Sequence, residues 1–385
     1  MGWAYDTRFS GADPFIARGR SAPGRSNPVR ARIAPPGTDC PVRQAVRESG
    51  HAKIAGELGR GLSVARAHEI PRRLLVAVGG NATHPPEIKG TAGEQAAIAA
   101  ATGRALLPLM ACDTELIVTH GNGPVVGKIL MRQALSGARV TPMTLDICVA
   151  HSQGGIAYLL MQAFENALRE AGNARHVVCL LTQVEVDSDD PAFGNPEKFV
   201  GYAYSEEEAR AFECEVGWTM REDPGRGWRH VVPSPEPRHI VDISLIRALA
   251  ERGAVVIAGG GGGIPVVREG SGMRRGVEAV IDKDLTSALM ANVLGIEDML
   301  ILTAVPRVAV HFGTPEQRQL DEVSLKELKK YREAGHFPPG SMGPKIEAAI
   351  RFIEGGGRRV WITNLEEALP ALRGEAGTLI HADDG

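Results

Sequence analysis

The sequence predicts an α/β protein with a mainly parallel sheet, and a repeated local pattern carries that prediction. The apolar run from Arg72 to Val78 breaks directly into Gly79-Gly-Asn-Ala-Thr-His-Pro-Pro86. Glu115 to Thr119 opens in the same way into His120-Gly-Asn-Gly-Pro-Val-Val-Gly127, and helix-forming text follows each loop. One glycine loop after a strand is weak evidence. Two strand-loop-helix units in succession are hard to obtain by chance, and such loops are where α/β sheets bind phosphate. A third apolar run, Ala254 to Ala258, ends in the five-glycine turn Gly259 to Gly263.

The remaining elements follow in order. Gly93 to Ala111 is an Ala/Leu-rich helix, and Asp146 to Gly172 a longer one with apolar positions at helical spacing and a Gly-Asn stop. Val177 to Val186 reads as a single strand. Asp187 to Glu236 is polar, punctuated by Pro and Gly and anchored by Trp218 and Trp228; it reads as an irregular insertion, in which only Asn195-Pro-Glu-Lys198 has a chemical look. Asp242 to Arg252 is a helix, and Leu285 to Leu294 a further helix for which Asp284 is a candidate cap. Strand Met299 to Thr303 follows. Ser324 with Glu327 forms a capping box ahead of a helix reaching Ala334. Helix Ile346 to Glu354, strand Val360 to Thr363, helix Leu365 to Leu372 and strand Gly377 to Ile380 close the chain.

Composition sets the class. With 385 residues, 43% hydrophobic and 23% charged, the chain has enough apolar text for a large core. No apolar run approaches the roughly 18 residues of a membrane span. Five scattered cysteines without CxxC spacing suggest neither a disulfide framework nor a zinc site, and fit a reducing, cytoplasmic compartment. The net charge of −3 hides an asymmetry, because residues 1–73 hold thirteen basic against six acidic side chains. Residues 1–71 are Arg-, Gly- and Pro-rich, with too little apolar text to offset the entropy of ordering, so disorder is expected there. A targeting presequence, a nucleic-acid tail and a dispensable extension all remain open for this segment. The body, residues 72–382, is then one domain with 187–236 as an inserted lobe.

Lys198, Lys283 and Lys345 sit at loop positions flanked by turn residues or acids, and Lys283 stands between Asp282 and Asp284. Three lysines with three glycine loops describe a site for several negative groups. Phosphoryl transfer asks a protein mainly for positioning and for cancelling charge, and compact ammonium groups suit that role. There is no GxxxxGK[ST], which argues against a P-loop enzyme, and no HRD or DFG set, which excludes a protein kinase. Each lysine alone reads more readily as a surface residue, and His84, His120 and His151 read as structural because no metal-ligand spacing joins them.

From Leu74 to Ile380 the sequence resembles the carbamate kinases of the amino acid kinase family. The matching blocks include VGGNA (78–82), HGNGP (120–124), SQGGIAYLL (152–160), DPAFGNPEK (190–198), VVPSPEPRHIV (231–241), GGGGIPV (260–266), GVEAVIDKDLTSAL (276–289) and GSMGPKIEAAIRFIE (340–354). GVEAVIDKD and GSMGPK are the most specific.

The resemblance implies a three-layer αβα sandwich with a small protruding lobe, a homodimer, no nucleic-acid or membrane partner, and reversible phosphoryl transfer between ATP and carbamate. ADP and carbamoyl phosphate are the other pair, with ATP formation in arginine and carbamoyl phosphate catabolism as the expected direction. It implies Mg2+ entering with ATP or ADP, and no protein metal site. Lys283 would stabilise the transferring phosphoryl group, Asp284 would orient the lysines, Lys345 would hold nucleotide phosphates, and Lys198 would close over the carbamoyl phosphate end. Gly79, Gly80 and Asn81, with Gly121, Asn122 and Gly123, would line the acid-substrate and phosphate site. Gly260, Gly261 and Gly262 would add backbone donors.

Several positions depart from the family pattern. Thr303-Ala-Val-Pro306 stands where TDVD is usual, which implies a changed nucleotide edge. Asn195-Pro-Glu-Lys-Phe-Val-Gly201 stands where NPTKPIG is usual, placing Glu197 beside Lys198, where a carboxylate would partly neutralise the lysine and weaken carbamoyl phosphate binding, or recognise a substrate that carries its own positive or donor group. Val125 replaces a glutamine, and His151 stands where a small residue is common. A relative acting on another small acid and a non-catalytic nucleotide-binding paralogue are the alternatives these departures leave open.

Overall fold

The computed structural model describes residues 70–80, 83–85, 88–338 and 340–383. The expectation of disorder for the N-terminal extension lies outside these residues, as does Asn81. Eight strands form the main sheet: β1 Arg73–Val78, β2 Glu115–His120, β3 Val177–Cys179, β4 Val255–Ile257, β5 Asp298–Leu302, β6 Glu322–Ser324, β7 Arg359–Thr363 and β8 Thr378–His381. Their spatial order is β6-β8-β7-β5-β1-β2-β4-β3, with every pairing parallel except β7 with β8.

The helices are α1 Ala92–Met110, α2 Val125–Ser136, α3 Leu145–Glu170, α4 Glu206–Val216, α5 Ile243–Glu251, α6 Lys283–Leu294, α7 Leu325–Glu333, α8 Gly343–Glu354 and α9 Ala368–Leu372. The layering follows from the two-residue period of the strands. Leu75, Ala77, Ile117, Val256, Met299, Ile301, Val360 and Ile362 share one buried cluster with residues of α5, α6, α7 and α8. Their alternates Leu74, Val76, Leu116, Val118, Val255, Ile257, Leu300 and Trp361 join the other cluster with α1, α3 and α9. Both faces of the sheet are therefore buried, which is why its strands are continuous apolar runs.

Two sequence expectations change. Val177–Val186 is not one strand: the chain leaves the main sheet after Cys179, and Gln183–Val186 joins a second sheet with Pro237–Ile240, Ile264–Arg268 and Arg274–Gly276. The break falls where Thr182 turns its hydroxyl to accept from the Gly259 amide at 2.9 Å. The segment 187–236 is ordered rather than irregular. It holds α4 and a three-stranded antiparallel sheet of Lys198–Tyr204, Gly227–Val232 and Met220–Asp223.

That small sheet has its own apolar anchor. Trp218 stacks on His230 with ring centroids 4.5 Å apart and on Phe212 at 4.8 Å, while Phe212 meets Tyr204 at 5.0 Å. Ser205 and Glu208 close a capping box at the start of α4. Gly201 lies against Gly127 of α2, where a Cβ on Gly127 would come within 2.0 Å of the Gly201 backbone. Only glycine allows the lobe strand to cross the helix so closely.

Candidate active site

Three loops at the carboxyl ends of β1, β2 and β4 converge. A Cβ on Gly80 would lie 3.0 Å from Gly123, and one on Gly121 would lie 3.2 Å from the Gly80 amide and 3.3 Å from the Lys283 side chain. The turn after β4 packs against the second loop: a Cβ on Gly260 would meet Nε2 of His120 at 2.2 Å, and one on Gly261 would meet Oδ1 of Asn122 at the same distance. Gly261 and Gly262 have φ of 66° and 94°, which permits a backbone path this tight. Gly79, Gly80, Gly121, Asn122, Gly123, Gly260, Gly261, Gly262 and Lys283 thus form one neighbourhood.

Hydrogen bonds from α3 fix this neighbourhood. Ser152 donates to Oδ1 of Asn122 at 2.8 Å, and Gln153 donates to the Gly260 carbonyl at 2.8 Å while accepting from the Thr182 amide at 2.7 Å. Thr286 on α6 donates to the Gly262 carbonyl at 2.8 Å. His120 is fully buried beside these groups, and burial pushes its pKa down to about 4, the nearby Lys283 charge adding to the effect. It is a neutral ring at ordinary pH. His84 is also buried, and Nζ of Lys128 donates to its Nε2 at 2.6 Å. His151 is exposed on α3.

The charged centre sits at the start of α6. Asp284 is buried and its carboxylate is shared: Oδ1 accepts from Lys283, and Oδ2 accepts from Lys345 of α8 at 3.3 Å. Burial and the Lys345 charge lower the pKa of Lys283, with Asp284 opposing. Burial also acts to lower the pKa of Lys345, but the Asp284 and Asp282 charges outweigh it and hold the pKa above the ordinary value. Asp284 therefore keeps two ammonium groups together that would otherwise repel.

Asp282 has a role that its neighbour was expected to fill. The helix begins at Lys283, and the Asp282 side chain caps it, accepting from the Asp284 amide at 2.9 Å. Its other oxygen accepts from Lys198 at 2.9 Å. Although burial opposes it, the Lys198 charge holds the Asp282 carboxyl well below the usual range. Lys198 thus reaches this centre from the lobe, and Lys283 has Asp284 rather than both carboxylates as its partner. Asp282 was visible beside Lys283 in the sequence, but its partner lies 84 positions away, and the only local signal was an aspartate before a helix.

Glu197, in contrast, turns away. It accepts from Asn195 at 2.7 Å and lies 3.7 Å from Arg221, so it does not neutralise Lys198. It lies just before the strand that begins at Lys198, where Asn195 is at hand.

A cleft of about 840 Å3 opens beside the charged centre, lined at one part by Gly79, Gly80 and Lys345. Ala304, Pro306, Arg307, Phe312, His336 and Asn364 line it further on. The departures at Ala304 and Pro306 therefore lie on the cleft wall. Arg226, from the lobe, lines it too.

Residues 72–364 match the profile of the Amino acid kinase family. The chain is 47% identical over 313 residues to the carbamate kinase of Pyrococcus furiosus, covering 80% of this chain and 99% of that protein. A carbamate kinase-like protein of Escherichia coli is 44% identical over 310 residues, covering 80% and 98%. Among solved structures, the Giardia lamblia carbamate kinase bound to AMP-PNP superposes with a TM-score of 0.75 at 38% identity, covering 81% of this chain and 99% of that one. The chain belongs to the amino acid kinase family and, within it, to the carbamate kinases.

Proposed function

We propose that this protein is a carbamate kinase, catalysing reversible phosphoryl transfer between ATP and carbamate, with ADP and carbamoyl phosphate as the other pair. The observation that carries this reading is the sharing of Asp284 by Lys283 and Lys345, beside the glycine loops and at the wall of the cleft. The nucleotide lies in that cleft with its phosphates toward Gly79, Gly80 and Lys345. The small acid lies by Gly121, Asn122 and Gly123.

Lys283 faces the moving phosphoryl group and cancels charge that spreads over its oxygens in the transition state. Lys345 neutralises the nucleotide side, and Lys198 covers the acid side from the lobe. Asp284 fixes the two body lysines before substrate arrives, so that little reorganisation is needed at the moment of transfer. The amides of Gly260 to Gly262 supply further donors. Mg2+ would enter with the nucleotide rather than at a protein site, a reading supported by Asp282 and Asp284 being engaged by lysines already.

The active form is a homodimer joined through α3. Ile147 and Tyr158 are 44% and 60% exposed on one face of that helix, and Leu181 beside it is 63% exposed, an apolar stripe that a second copy would cover.

The test is a coupled assay in which ADP, carbamoyl phosphate and Mg2+ are supplied and ATP is read. Rapid ATP formation is expected; none at ample enzyme concentration would overturn the proposal.

A further inference from the structure

The charge at the centre is smaller than its lysines suggest. Lys198, Lys283 and Lys345 are paired with Asp282 and Asp284, so this five-residue group carries one net positive charge. A nucleotide and a phosphorylated acid bring several negative charges, and Mg2+ offsets only part of them. More positive charge is needed at the cleft than the centre supplies.

Two arginines line the cleft. Arg307 is engaged, donating from Nε to the Gly377 carbonyl at 3.2 Å and lying 3.1 Å from Asp321. Arg226 is held only loosely: its side chain is 72% exposed, and its ion pair with Asp223 is long, at 3.8 Å. Asp223 has a better partner in Arg229, at 2.9 Å. Arg229 also donates to the Gly201 carbonyl at 3.3 Å and lies over the Phe199 ring at 5.2 Å, so it is built into the small sheet. The root arginine of the hairpin takes the short contact with the aspartate and leaves the tip arginine only the long, exposed one.

The hairpin presents that tip rigidly. Asp223 to Arg226 form a turn in which the Arg226 amide donates to the Asp223 carbonyl at 2.9 Å, with Pro224 at the second position and Gly225 at φ 78° in the third. This is the sequence chemistry of a type II turn, which proline and glycine preorganise. Arg226 is therefore held out from the lobe and toward the cleft by a turn that loses little entropy on binding.

We propose that Arg226 is a substrate-contacting residue that clamps the phosphate chain of the bound nucleotide from the lobe, opposite Lys345. This rests on the carbamate kinase reading for the identity of the ligand. A guanidinium is suited to the task because its planar fork engages two phosphate oxygens at once, which an ammonium cannot match. Lobe and body then contribute one arginine and one lysine to the same phosphates, and nucleotide binding draws the lobe that carries Lys198 onto the site.

The experiment compares wild type, Arg226→Ala and Arg226→Lys. Equilibrium binding of ADP and of AMP is measured at two salt concentrations, alongside KM and kcat for ATP formation. Wild-type activity and ADP binding are recorded first; their absence would overturn the carbamate kinase reading itself. With both present, Arg226→Ala is expected to weaken ADP binding about tenfold, to weaken AMP binding less, and to reduce the salt dependence of ADP binding. KM for ADP rises more than kcat falls, and Arg226→Lys recovers part of the loss. Unchanged ADP binding in Arg226→Ala would overturn the inference while leaving the reading intact. Equal losses for AMP and ADP would also overturn it, since they would place Arg226 on the nucleoside.

Discussion

Lys198 and Asp282 meet at 2.9 Å, and through this pair the small sheet reaches the start of helix α6, beside the Asp284 carboxylate that Lys283 and Lys345 share. Asp282 serves two purposes, as ion-pair partner and as helix cap, and substitution separates them. Asp282→Asn keeps a good cap but removes the charge and leaves Lys198 unpaired, so thermal stability should fall by the ion pair's contribution and kcat/KM for carbamoyl phosphate should fall with it. Asp282→Ala loses the cap as well, and should cost about a further 1 kcal/mol in urea denaturation. Equal stability of the two variants would show that capping is not the second role.

Asp284 is the more demanding position. Asp284→Asn leaves two buried ammonium groups without their shared counter-charge. Breaking a buried pair by removing one partner costs about 3–5 kcal/mol, and the variant should unfold at clearly lower urea concentration. It should also lose kcat on the order of a hundredfold or more, because the lysines are no longer held in place.

The pH dependence of the reaction follows from Lys283. Burial and the Lys345 charge lower its pKa from the ordinary 10.5, so the charged form is the one that is lost as pH rises. Activity that needs the ammonium is full below the depressed pKa and falls as pH passes through it. The alkaline limb of kcat/KM should therefore begin below pH 10.5, the ordinary value for a lysine. A limb at or above that value would contradict the assignment.

Glu197 offers a contrasting prediction. It is bound to Asn195 and lies near Arg221 rather than Lys198. Replacing it with Thr should leave KM for carbamoyl phosphate within about twofold of wild type, as expected for an exposed surface charge. A larger change would mean that the carboxylate does reach the site.

The packing of the glycine turn is tested by a pair of substitutions. At Gly261, with φ 66° and Asn122 at 2.2 Å from a would-be Cβ, alanine should cost more than about 1 kcal/mol and should disturb catalysis. Gly93, in the first turn of α1, has nothing within 4 Å of its would-be Cβ, and alanine there should be neutral or slightly stabilising. For the dimer, charged replacements at Ile147 and Tyr158 together should shift the sedimenting species from twice the 41.0 kDa chain mass to the single chain.

Much of the molecule was legible in the sequence. The apolar strands, the glycine loops that end them and the Ser324–Glu327 capping box are local signals, since each depends on residues within a few positions of one another. The lobe was misread for the opposite reason. Its short strands are held by Trp218, His230 and Phe212, which meet only after folding, although the Ser205–Glu208 capping box was available as a signal for α4. The sequence on its own determined the fold class and which lysines and glycines are candidates for chemistry, because hydrophobic period and backbone permissiveness are written residue by residue. The tertiary structure alone decided who pairs with whom. It gave Asp282 to Lys198, Asp284 to Lys283 and Lys345, and Glu197 to Asn195 and Arg221, because an electrostatic partner is set by distance in space, over separations of 61 and 84 residues in two of these pairs.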